Sequence, residues 1–247
     1  VVEADTTVVN NGTPLFAVDG YEIYPDATLT ILSSQASSKS VTGLGSMIVQ
    51  LVNNDNFDLT GIAGTISASA TVTSPNNVTL HPAADLGSLV VTVYSGASLT
   101  LSAAQSTGKT LNGDGSVTVT ELGSNTDLSH VHANLDVTAE VTTVAVDITD
   151  NNNLTSVDTF DVNGLGELRL TASQADMRDV IGNGDVYVES IAATTDLSYF
   201  STNLIITAEV NSTIDISTNN NLAVVDTFEV TNTGDLTLTA TQADEQV

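Results

Sequence analysis

Hydrophobic and polar residues alternate with a period of two through most of this chain. Leu99 and Leu101 flank Thr100, Val117 and Val119 flank Thr118, and Leu135 and Val137 flank Asp136. Such alternation predicts short strands with one buried face and one solvated face. Between them cluster Asn, Asp and Gly, which tolerate positive φ and close tight corners.

The pattern recurs as a whole. Ala-Thr-Leu-Thr-Ile at 27–31, ending at Gln35, returns as Ala-Ser-Leu-Thr-Leu at 97–101, ending at Gln105, and again before Gln174 and Gln242. Gly43-x-Gly45 matches Gly113-x-Gly115 and Gly182-x-Gly184, and Asp58-Leu59 matches Asp127-Leu128 and Asp196-Leu197. Val157-Asp-Thr-Phe160 recurs at 225–228, and Asn151-Asn-Asn-Leu154 at 219–222. The offset is roughly 70 residues throughout, a period that marks a repeat architecture. The chain therefore reads as a head, residues 1–26, a diverged first repeat, 27–96, a second, 97–165, a third, 166–233, and the start of a fourth, 234–247.

Cutting the second repeat at Leu99, Leu122, Val144 and Leu168 gives three pieces of roughly 23 residues each, the size of one solenoid rung. The expected fold is all-β: a parallel β-solenoid of about ten rungs, three to a repeat, each too small to bury its own face and stabilised by its neighbours. At roughly 4.8 Å per rung this predicts a rod about 50 Å long, with equivalent residues stacked about 14 Å apart. One alternative is a string of small β-sandwich modules, although these bring Pro-rich linkers and large core aromatics that this chain lacks. Another is a leucine-rich-like solenoid, from the spacing Leu154-x-x-Val157-x-x-Phe160-x-Val162, which holds in only part of each repeat.

Composition narrows the function. Of 247 residues, 41% are hydrophobic, enough for a core, and 30 acids face four bases for a net charge of −26. Nucleic acid and anionic membrane both require a cationic face, so neither is an expected partner. Absence of Cys excludes disulfide and thiol chemistry, and no apolar run approaches the roughly 20 residues of a membrane helix. The acids are unevenly spread: three in the first repeat against nine and ten in the next two. That repeat also holds two of the four prolines and reads as a capping or partner-facing one.

Three of the four cations, Lys39, Lys109 and Arg178, fall at equivalent positions. In a rung-stacked column they would be separated by more than the Debye length of about 8 Å, each free to pair with acids of its own repeat or of a neighbouring molecule. The head carries Phe16, Tyr21 and Tyr24, candidates for capping the first rung or docking on another subunit. Asp-rich and Asn-rich turns make Asp147, Asp150, Asp158, Asp215 and Asp226 the candidates for Ca²⁺ ligands, because Ca²⁺ takes six to eight oxygens. No EF-hand loop or glycine-rich Ca²⁺ nonapeptide accompanies them, so no cofactor is assigned beyond Ca²⁺ as a candidate, with diffuse divalent bridging the favoured form.

Little points to catalysis. His130 and His132 flank Val131, but the matching residues of the third repeat are Tyr199 and Ser201, so the pair is outside the repeated design. No nucleophile elbow, phosphate loop or dinucleotide fingerprint occurs. A polysaccharide-cleaving solenoid using paired carboxylates and an ice-binding solenoid using Thr-x-Thr rows are the lesser alternatives.

Repeats reading Leu-Thr-Leu-Thr-Ala-x-Gln-Ala-Asp, Gly-x-Gly-x-Val-x-Val, Thr-Asp-Leu-Ser and Val-Asp-Thr-Phe resemble those of large tandem-repeat surface proteins of bacteria: adhesins, surface layers, sheaths and extracellular filaments. The resemblance covers residues 27–247 and implies secretion, an acidic or calcium-bearing exterior and a structural role. The chain begins without Met or a leader and stops before the glycine pair of its fourth repeat, as expected of an excerpt or a processed product. Sequons stand at Asn11, Asn77, Asn153 and Asn211, at a frequency chance explains. The expectation is a non-enzymatic extracellular protein that polymerises with itself end to end or laterally, with divalent cations or surface polysaccharide as further partners. The rival is the repetitive stalk of an adhesin.

Overall fold

The structure, a computed structural model, describes residues 1–8, 18–143, 145–231 and 233–244. Two compact units divide the chain, Val1–Val119 with Asp127–Val137, and Thr120–Thr126 with Thr138–Val247. Each is a parallel β-solenoid, and together they hold about 11 turns. The sandwich alternative fails because the strand pairings are parallel between successive turns, where sandwich modules pair antiparallel strands.

In the first unit, strands Thr6–Val8, Thr28–Leu32, Ser46–Gln50, Ser67–Val72, Val90–Val93 and Leu111–Gly113 form one sheet. Asn77–Thr79, Ser98–Ser102 and Ser116–Thr120 follow one another in a second, and Gly20–Ile23 pairs with Ser40–Gly43 in a third. In the second unit, Thr159–Val162 lies between Asp136–Val141 and Asp179–Gly182. Val146–Asp147, Glu167–Thr171, Asp185–Glu189, Ile205–Val210 and Thr227–Val230 make another sheet, and Thr213–Asp215 pairs with Asp235–Thr237.

Alternation in the sequence becomes columns in the fold. Ile31, Val49, Ala70, Val91 and Leu111 are ladder partners in turn, and all are fully buried. In the second unit Ala139, Phe160 and Val180 stack in the same way, as do Leu170, Val188 and Ala208. Burying each larger side chain contributes about 1.5–3 kcal/mol, which a single turn could not collect alone.

The expected partition of each repeat into three equal turns is corrected. Successive members of the column from Ile31 to Leu111 are roughly 20 residues apart, a shorter turn than the one expected. Three turns therefore fall short of one repeat. Val91 is three turns beyond Ile31, whereas the repeat equivalent Leu101 lies further on, in the strand Ser98–Ser102 of another sheet. Equivalent residues do not share a column.

Corners are held by a recurring device. Four short helices, Ser33–Ala36, Ala103–Ser106, Ala172–Ala175 and Ala240–Asp244, each follow a strand at the same place in the repeat. In the second and third, Ser102 and Thr171 accept from the N–H groups of Gln105 and Gln174, whose Oε1 atoms accept in return from the backbone of Ser102 and Thr171. The glutamine amide then reaches the preceding turn. Gln105 Nε2 donates to His81 O (2.9 Å) and Ala84 O (3.1 Å), Gln174 Nε2 to Ile148 O (2.7 Å) and Asn151 O (3.0 Å), and Gln242 Nε2 to Ile216 O (2.9 Å) and Asn219 O (3.0 Å). For Gln35 the positions equivalent to those acceptors lie outside the described residues. At the next corner Gly43, Gly113 and Gly182 adopt φ of +122°, +117° and +115°, and a Cβ would lie 2.0–2.1 Å from the carbonyl oxygens of Ile23, Val93 and Val162. Only glycine fits there.

Candidate functional site

Corners reading Asp, then Leu or Ile, then Thr or Ser explain much of the acidic repeat. Asp58 Oδ1 accepts from Thr60 N (2.9 Å) and Oγ1 (2.6 Å), Asp147 from Thr149 N (3.0 Å) and Oγ1 (2.6 Å), and Asp196 from Ser198 N (2.9 Å) and Oγ (2.6 Å). These bonds, the hydroxyl first and the backbone N–H second, hold the carboxyls of Asp58, Asp127, Asp147, Asp196 and Asp215 below the usual carboxylate range.

Of the five candidate Ca²⁺ ligands, the structure brings Asp147 and Asp150 to one place. They line a hollow of about 560 Å³ in the second unit with Ser124, Asn125 and residues 151–153. Asp215 spends an oxygen on Ser217 N (2.9 Å) and Asp226 on Ile206 N (2.7 Å), while Asp158 lies in the field of Arg178. Among the described residues no three of His, Asp and Glu gather as metal ligands do.

Two of the three equivalent cations, Lys109 and Arg178, are turned to their own chain. Lys109 Nζ donates to Gly87 O one turn back, and Arg178 donates from Nη1 to Val157 O and from Nη2 to Thr155 O (3.3 Å). Burial lowers the Arg178 pKa, and neighbouring Asp158 opposes that shift. Lys39 is half-buried, and its position equivalent to Gly87 is Ala17, outside the described residues. Lys39 precedes the strand Ser40–Gly43 and Lys109 the strand Leu111–Gly113, which belong to different sheets.

In the head, Tyr21 donates its hydroxyl to Gln35 O (3.5 Å), and burial raises its pKa. Tyr24 is 42% exposed, and Phe16 lies outside the described residues. His81 and His132 serve their own turns, their Nδ1 atoms accepting from Ala83 N (3.1 Å) and Asn134 N (3.3 Å). Asn151 and Asn219, at one place in successive repeats, join turns: their amides donate to Ser124 O and Thr126 O, and to Ala193 O and Thr195 O.

No family model, curated protein or solved structure matches this chain.

One surface arrangement is not legible residue by residue. Asp147, Arg169, Tyr187 and Thr207 are successive ladder partners on a solvated sheet face of the second unit. Arg169 Nε pairs with Glu189, and the guanidinium carbon Cζ lies over the Tyr187 ring, 5.8 Å from its centroid. Its pKa is raised, first by the hydrogen bond to Glu189 and further by the charges of Glu189, Glu209 and Asp147. The signal is present in the sequence as Arg169, Tyr187 and Glu189, yet it becomes visible only once the register that sets Arg169 beside Tyr187, one turn on, is known.

Proposed function

We propose that this chain is an extracellular structural protein that assembles with copies of itself into a fibre, sheath or layer. The observation that carries this reading is the repetitive parallel stack, in which columns such as Ile31, Val49, Ala70, Val91 and Leu111, and the recurring ties of Gln105, Gln174 and Gln242, serve to join one turn to the next. On this reading the chain is mechanical and performs no reaction, and its acidic exterior suits bridging by divalent cations.

A second reading, the spacer of a cell-surface adhesin, draws on the inward-turned cations. Lys109 and Arg178 are engaged within the chain, so lateral contacts between copies would lack the most regular cations available to them. Electron microscopy and sedimentation at two protein concentrations, with and without a calcium chelator, separate the two. Ordered polymers support assembly. Single particles under every condition reject it in favour of the spacer.

A further inference from the structure

We propose that the turn-bearing side of the second unit is a binding groove for an extended, uncharged polysaccharide chain. The hollow at Asp147 and Asp150 is the first of three. The second, about 230 Å³, shares Asn151 and Asn152 with it, and the third, about 320 Å³, shares Ser173 with the second. Each lies across adjacent turns, so the series follows the stacking direction rather than circling one turn. A long, thin ligand fits such a track.

The lining sets its chemistry. Asn125, Asn152, Thr155, Ser173 and Thr194 offer amides and hydroxyls that both donate and accept, as a polyol does. The side chains of Asn125, Asp150 and Asn152 make no hydrogen bond within the described residues and are free for a ligand. Beneath them the floor is fixed. Asn151 Nδ2 donates to Ser124 O and Thr126 O, both at 2.9 Å, Gln174 ties the next turn, and Arg178 is anchored on Val157 O. Such fixed polar groups do not have to be ordered on binding, which lowers its cost.

Other ligands fit less well. Three carboxylates, Asp147, Asp150 and Asp176, against the single cation Arg178 oppose a polyanion. A peptide requires a free strand edge or apolar side-chain pockets. Here carbonyls of the turns are occupied by Asn151 and Gln174, and the apolar residues of the floor, Ile148, Leu154 and Phe160, are at most 4% exposed. The first repeat has Ala83 and Ala84 ahead of Leu86 where the second has Asn151 and Asn152 ahead of Leu154, so this lining belongs to the second repeat rather than to every repeat.

Affinity electrophoresis of the full chain through gels containing dextran, mannan, laminarin or hydroxyethyl cellulose, with alginate as the acidic control, tests the assignment. At least one neutral polymer should retard the protein, with EDTA making no difference. The double variant Asn125→Ala/Asn152→Ala removes two side chains without internal partners and should weaken retardation at least tenfold, while Asn134→Ala in the first unit should not. Retardation by none of the four neutral polymers, by alginate most strongly, or equally in the double variant overturns the assignment. Loss of binding in EDTA would show a divalent-ion site at Asp147 and Asp150 instead, and also overturns it. Sedimentation of the double variant should match the parent, which keeps this result separate from the assembly reading.

Discussion

Ile31 and Leu101 occupy the same place in consecutive repeats, both are buried, and they lie in different sheets. The relation repeats in the second unit: Leu168 pairs with Val186 and that with Ile206, while the equivalent Leu236 pairs with Ile214 in a separate two-stranded sheet. A repeat thus advances the chain by three turns and one further strand. Residues that recur along the sequence are thereby placed on successive sides of the stack within each unit. Lys39 and Lys109 form no common column, and a lateral contact made once per repeat would not keep one direction.

The corner glycines are the positions where the fold tolerates least change. A methyl group at Gly113 would meet Val93 O at 2.0 Å, with φ at +117°, a conformation L side chains rarely adopt. Gly113→Ala should destabilise the chain by at least about 2 kcal/mol, combining clash and backbone strain. Gly108→Ala is the comparison, because its φ is also positive but nothing lies within 4 Å of the added Cβ. Equal losses in urea unfolding for the two variants would show that the close approach to Val93 contributes nothing.

Gln174 joins two turns through one side chain, accepting from Thr171 N at 2.8 Å and donating to Ile148 O and Asn151 O. Gln174→Leu strands those partners and should cost about 2–3 kcal/mol. Gln174→Glu keeps the acceptor but turns a carboxylate oxygen toward two carbonyls, so it should be worse than Leu at pH 7 and recover in acid as the carboxyl protonates. Unfolding curves of both variants at pH 7 and pH 4 check the order. A Glu variant as stable as the parent at pH 7 would remove the glutamine from the list of interturn ties.

Why the solenoid was legible and its winding was not follows from these same residues. Period-two alternation, with Leu99 and Leu101 inward and Thr100 outward, is a local property that survives whatever lies beside the strand. The repeat of Gly113, Gln105 and Asp127 marks the corners, since each solves a backbone problem of its own turn. Turn length is a relation between turns. Ser98–Ser102 and Ser67–Val72 look alike as strings, yet the second lies inside one repeat and the first opens the next, in a different sheet. The groove was illegible for a related reason: Ser124, Asn152 and Ser173 come together only through stacking.

Arg169 faces more negative charge than it can neutralise. Glu189 pairs with it, Glu209 and Asp147 add to the field, and Glu229 is the ladder partner of Glu209. Arg169→Gln would leave those carboxylates to repel one another across a solvated face, where such effects are modest and screened by salt. The variant should lose about 1 kcal/mol or less at physiological salt, more at about 10 mM NaCl and almost nothing at about 1 M. A loss independent of salt would assign Arg169 a packing role over Tyr187 rather than a charge role.

Acid should weaken the corners and relieve one point on the sheet. Asp58, Asp127, Asp147, Asp196 and Asp215 have folded pKa values below their unfolded ones. Their contribution is therefore complete above about pH 4, the unfolded carboxylate value, and disappears as pH falls through the lower folded values. Glu140 runs the other way. Burial, and then the charge of its ladder partner Asp161, raises its pKa, so its contribution is present in acid and is lost as pH rises through the raised value. Overall repulsion at a net charge of −26 also eases on acidification, so each group is best read as a difference from the parent chain. Glu140→Gln should raise Tm at pH 7 and leave it unchanged at pH 3. Asp147→Asn keeps a side-chain oxygen for Thr149, and should lower Tm at pH 7 while flattening its fall between pH 4 and pH 2. Thermal scans of the two variants at pH 7, 4, 3 and 2 carry both signs in one experiment. A Glu140→Gln gain that persists at pH 3 would mean that the glutamate is disfavoured by its shape and not by its charge.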